Sequence, residues 1–130
     1  MPEPQKMVME IEEMVSQEIE EVLGSWEVAL GEEMIPEEVK FNDNDRTLLI
    51  KVWWNNPPTL VNAKIPPLEL VVNNTPLPKQ YIIYTAKFPK DWHGSKLVNA
   101  VVKTAINAAK LIVTFVMAVS AIYKNKPLIP

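Results

Sequence analysis

The segment from about Ser95 to Tyr123 limits what this 130-residue chain can become more than any other part of it. Lys96, Asn99, Lys103, Asn107, Lys110 and Thr114 recur every three or four residues, which on an α-helix makes one narrow polar seam. Roughly three-quarters of the circumference is Leu, Val, Ile, Ala, Met and Phe, and after Thr114 even the seam fades. A helix with so little polar surface must be covered on nearly every side. A chain of this length builds one core, so a single sheet and one other helix are all the cover it can supply. Leu111, Ile112, Phe115, Met117 and Ile122 then remain in excess. Burying each is worth about 1.5–3 kcal/mol, and several left in water would form an aggregating patch.

Three kinds of cover exist: another protein subunit, a lipid bilayer, or a bound apolar ligand. A second copy of the chain is the cover that the pattern favours, because packing a helix against its own copies is the commonest way to hide such a surface. Ala100, Ala105, Ala108, Ala109, Ala118 and Ala121 would permit a close helix contact. Leu97 to Tyr123 is long enough for the roughly 30 Å of a membrane interior. Against that stand Lys103 and Lys110, each costing at least about 2.5 kcal/mol near a bilayer centre. A membrane is therefore not the expected partner, although the length alone permits one.

The opposite end of the chain is better balanced. Between Gln5 and Leu23 the residues Met7, Val8, Ile11, Met14, Val15, Ile19, Val22 and Leu23 make one apolar stripe, with glutamates around it. Pro4 suits a helix start and Gly24 a C-terminal cap, so an amphipathic acidic helix is expected over 5–23. An antiparallel sheet is expected over 26–88. Trp26, Val28 and Leu30 alternate as in a strand, with a continued helix as the competitor. Val39 to Phe41 and Arg46 to Trp54, joined by Asn42-Asp43-Asn44-Asp45, read as a β-hairpin, and Leu68–Val72 and Gln80–Phe88 as further strands. No connection is long enough for a crossover helix, which predicts four or five antiparallel strands. The class is thus α+β: an N-terminal helix, the sheet, a long C-terminal helix over 95–123 packed on it, and an extended tail over 124–130.

Charge is unevenly placed. Residues 1–45 carry 14 acids against Lys6 and Lys40, a net of −12, and residues 46–130 carry 11 bases against Glu69 and Asp91, a net of +9. Such asymmetry suggests that one part docks on the other, within or between chains. Lys96, Lys103 and Lys110 would meet the glutamate face of the first helix, at about 0–1 kcal/mol a pair, setting register more than stability.

Signs of chemistry are few. With no cysteine, disulfides, thiolate metal sites and thiol nucleophiles are excluded. His93 is the sole histidine and has no same-type partner for a metal site. The three glycines are too scattered for a phosphate-cradling loop. The Asn42–Asp45 cluster is read as a hairpin turn, the glutamates as a solvated helix face, and Asn73-Asn74-Thr75 as a sequon that matters only in a secreted chain. The start, MPEPQKM, does not lead into a short apolar run, so no signal peptide is expected. Neither a metal nor a cofactor is expected, and neither is enzyme activity.

Trp53-Trp54 carries more information, since adjacent strand residues face opposite sides. Either both sheet faces are covered or one tryptophan is offered to a partner. Lys51, Lys87, Lys90 and Lys96 lie near Trp53, Tyr84, Phe88 and Trp92 in sequence, a composition used to stack single-stranded nucleic acid. With one Arg and an acidic balance, nucleic acid is not the expected ligand. The expectation is a non-enzymatic structural or interaction protein, such as a viral or phage component, that self-assembles into a homo-oligomer or meets another protein. Its surface would comprise Trp53, Trp54, Leu111, Ile112, Phe115, Met117 and Ile122, with Lys103 and Lys110 beside them. The alternative is a carrier or chaperone gripping an apolar ligand or peptide between the sheet and the last helix.

Overall fold

The computed structural model describes residues 3–55, 63–73 and 79–123. Helix α1 (Glu3–Leu30) is followed by strands β1 (Glu33–Asn42), β2 (Thr47–Asn55), β3 (Ala63–Ile65), β4 (Leu68–Asn73) and β5 (Lys79–Lys87), then by helix α2 (Gly94–Tyr123). The strands form one sheet in the order β1-β2-β5-β4-β3, with every neighbouring pair antiparallel. The fold is α+β, with five strands. The tail over 124–130 lies outside the described residues.

Three boundaries differ from the sequence reading, one of them that of β1, which begins at Glu33 rather than at Val39. Helix α1 does not stop at Gly24, and 26–30 is not a strand: the helix runs through to Leu30. The stop is Gly31, at φ 67°, whose N–H reaches Val28 O at 3.3 Å while the N–H of Glu32 reaches Glu27 O at 3.3 Å. This crossed pair of bonds closes a helix around a left-handed residue, which glycine adopts without a Cβ clash. The apparent alternation of Trp26 and Val28 marks no buried face, since both are exposed. The third difference is β3, a three-residue strand that proline-rich sequence conceals; it turns into β4 through a cis Pro66–Pro67 bond.

The β1–β2 hairpin forms as its polar run dictates. Asn42 Oδ1 accepts the backbone N–H groups of Asn44 (2.9 Å) and Asp45 (3.3 Å), and Arg46 takes the left-handed conformation at φ 56°. Asn42–Asp45 is thereby a turn in which carboxylates and amides serve the backbone. At the sheet margins, β1 contains Pro36 and a register shift between Pro36 and Glu38, and β3 has only three residues.

Both helices lie on one face of the sheet. Ile11, Val15, Ile19 and Leu23 of α1 and Leu97, Val101, Ala105, Ile112 and Val116 of α2 share a core with Met34, Phe41, Leu48, Ile50, Val52, Trp54 and Ile82 of the strands. The helices run in the same direction. At one end, Glu12 Oε2 accepts the N–H of Phe41 at 2.8 Å, and the segment before α2 is tied to Arg46 at the hairpin tip. At the other end, Glu32, just past α1, accepts a bond from Ser120 of α2 at 3.0 Å.

Candidate assembly surface

The strand β2 settles the tryptophan pair. Leu48, Ile50, Val52 and Trp54 face the helices, and Thr47, Leu49, Lys51 and Trp53 face away. Trp54 is 1% exposed, packs edge-on to Phe115 (6.4 Å, 78°) and donates its Nε1–H to Glu32 at 2.9 Å. The Glu32 carboxylate is buried with it and bonded to Ser120, so it joins the link between α1 and β1 to β2 and α2 in one contact. Trp53 is half-buried on the outer face, with Lys79 Nζ 5.0 Å from its ring centre. Because β2 lies inside the sheet, it has no free edge for another strand.

The residues expected on α2 separate into two groups. Ile112 is fully buried and Phe115 is half-buried against Trp54, so with Trp54 they support the helix from beneath and are sheltered by their own chain. Leu111, Met117 and Ile122 are 37, 40 and 62% exposed, beside exposed Ala118 and Ala121. The alanines divide in the same way: Ala105, Ala108 and Ala109 are spent on internal packing. Helix α2 is long and apolar enough to cross a membrane, and 33% of its most apolar 18-residue stretch is buried. The described residues therefore leave much of it uncovered.

Lys103 and Lys110 are exposed, as are Lys96, Asn99, Asn107 and Thr114. Glu10, Glu13, Glu20 and Glu21 on α1 are exposed too. Although α1 and α2 are neighbours, the glutamates and lysines do not pair. Among the described residues the one ion pair is Arg46–Asp43. The reason is geometric, since each row points away from the sheet on its own helix. Among the described residues, the charge complement of α1 and α2 is thus left open.

Sequence reading gave no role to Arg46 or Glu32. Arg46 is buried; its Nη1 donates to Asp43 O at 2.8 Å and pairs with the Asp43 carboxylate, and its Nη2 donates to Trp92 O and His93 Nδ1, each at 3.1 Å. His93 is thus part of the tie between hairpin and helix. The only arginine of the chain, placed at a hairpin tip, was the available signal. Glu32 had none, being one of 14 acids in the first third. The lysine–aromatic set does not form one surface: Lys51 and Trp53 are on the outer face, Phe88 is in the core, and Lys96 lies 4.8 Å from the Trp92 ring.

On the outer face, Lys51 Nζ sits 4.3 Å from the centre of the Tyr81 ring. Burial pushes the Tyr81 phenol above its usual value, and the hydrogen bond to the Glu37 carboxylate and its negative charge push it the same way. Burial also raises Tyr84. In the unfolded chain both phenols ionise near 10, before they would in the folded one. Folding stability contributed by their neutral forms is complete below pH 10 and should fall as pH rises beyond it. Urea midpoints across that range test this, and the Tyr81→Phe variant should show a shallower decline.

Compared with known protein families, with curated proteins and with solved structures, the chain matches none of them.

Proposed function

We propose that this protein is a non-enzymatic structural subunit that self-assembles through its helical layer, with α2 at the centre of the contact. The observation that carries the reading is the exposed apolar end of α2, at Leu111, Met117 and Ile122, on a helix whose most apolar stretch is only one-third buried. Several large apolar side chains on one end of one helix are an interaction surface or an aggregation hazard, and self-association resolves the hazard. The open charge complement between α1 and α2 supports the same reading. A virion or phage component is a context that suits a small assembly subunit of this kind. The space that a carried molecule would need between sheet and α2 holds Trp54, Ile82, Ile112 and Val116, none more than 1% exposed, so the assembly reading is preferred to a carrier.

Leu111→Glu and Ile122→Glu, combined in one chain, test the proposal. Both positions are exposed, so the fold should survive, unlike a change at Phe115, which packs on Trp54. The wild type should sediment as a multiple of 14.8 kDa, and the variant as a single chain with an unchanged circular dichroism spectrum. A wild type that remains a folded monomer at high micromolar concentration sinks the idea.

A further inference from the structure

We infer, resting on the self-assembly proposed above, that the occupant of the helical face is a second copy of this chain related by a two-fold axis parallel to the helices, so that α1 of each copy lies on α2 of the other. The outward side of α1 is acidic along most of its length and ends in Val28, which is 94% exposed. The outward side of α2 is basic along Lys96, Lys103 and Lys110 and ends in Met117 and Ile122. The two helices are parallel, so the acidic and basic stretches lie at one end of the layer, where Met9 and Met14 are exposed as well, and Val28, Met117 and Ile122 lie at the other.

Heights along the layer agree for Lys103 and Lys110, whereas Lys96, at the far end, falls level with Lys6. The Ser120–Glu32 contact places the last residue of α1, Leu30, near Ser120. Counted back from there, Glu20 and Lys110 each lie ten residues away, and Glu13 and Lys103 each seventeen. At 1.5 Å per residue these are heights of about 15 and 26 Å. A two-fold axis along the helices keeps every height and exchanges α1 for α2. Glu13 then faces Lys103 of the second copy, Glu20 faces Lys110, and Val28 meets the apolar end of the opposite α2. The contact is made twice, as two-fold symmetry requires. An axis across the helices would instead set glutamates on glutamates and lysines on lysines.

The absence of cysteine allows a clean test with the full chain. Gln17 and Asn107 lie at one height between the charged pairs, and both are exposed. A Gln17→Cys chain mixed with an Asn107→Cys chain should be joined efficiently by a short bismaleimide, while either chain alone should give little product. Lys103→Glu with Lys110→Glu should raise the dissociation constant of the dimer by about tenfold or more, since both copies of the contact then oppose like charges. Adding Glu13→Lys and Glu20→Lys to that same chain should restore it. A dimer that cross-links chiefly through 17 to 17, or that ignores the charge reversals, overturns this register and leaves self-assembly standing. A chain that stays monomeric, or that leaves solution for zwitterionic lipid vesicles without ever dimerising, removes both.

Discussion

Replacing Trp54 with alanine should bring the protein close to unfolding. The side chain is 1% exposed and touches Phe115, so removing it leaves a large cavity between β2 and α2, at a cost of about 3–5 kcal/mol. The buried Glu32 carboxylate also loses a donor, which adds about 1–3 kcal/mol. Together these approach the whole stability of a small domain, about 5–15 kcal/mol. Trp53→Ala, one residue away, should cost only about 1–2 kcal/mol, because its ring is half-buried on the open face. Urea titrations of the two variants measure the contrast directly. Equal losses would mean that the sheet presents a different face to the helices.

Arg46→Ala should be the next most damaging change after Trp54→Ala, lowering stability by about 2–4 kcal/mol. It removes donors from Asp43 O, Trp92 O and the Asp43 carboxylate at once. Lysine should not rescue it, since a single ammonium lacks the planar fork that serves two directions. The loss should be local before it is global. Hydrogen exchange should quicken first at the N–H of Phe88, which bonds to Arg46 O at 2.9 Å, and in the first turn of α2. If exchange instead rises uniformly with the global stability loss, Arg46 is not the tie and the hairpin and α2 are joined by packing alone.

Elements whose pattern is long and periodic were legible in the residues. Both helices, the hairpin and the last two strands could be placed because their apolar spacing repeats over many positions. Gly24 misled because a glycine tolerated inside a helix and one that ends it are the same letter; only the φ of 67° at Gly31 separates them. β3 escaped because three residues beside two prolines carry no period. Trp53 and Trp54 were legible as a pair facing opposite ways, but which one is inside depends on where the helices land, and that is a property of the whole chain. The same holds on α2: Leu111, Ile112, Phe115 and Met117 look alike in sequence, and a rotation of 100° per residue decides which one meets Trp54 and which one meets water. The matching heights of Glu13 with Lys103 and Glu20 with Lys110 could not be read either, since they depend on two helices being parallel across a sheet.

The margins of the sheet bear on how the molecule avoids runaway association. A long open strand invites unrelated chains to zip onto it by backbone hydrogen bonding, the route to fibrils. Here one rim is interrupted by Pro36 and a kinked register, and on the other the outermost strand, among the described residues, is three residues long. The β-layer is a poor template for lateral growth, so greasy side chains can be displayed on the helical side without the strands turning contact between molecules into an endless ribbon.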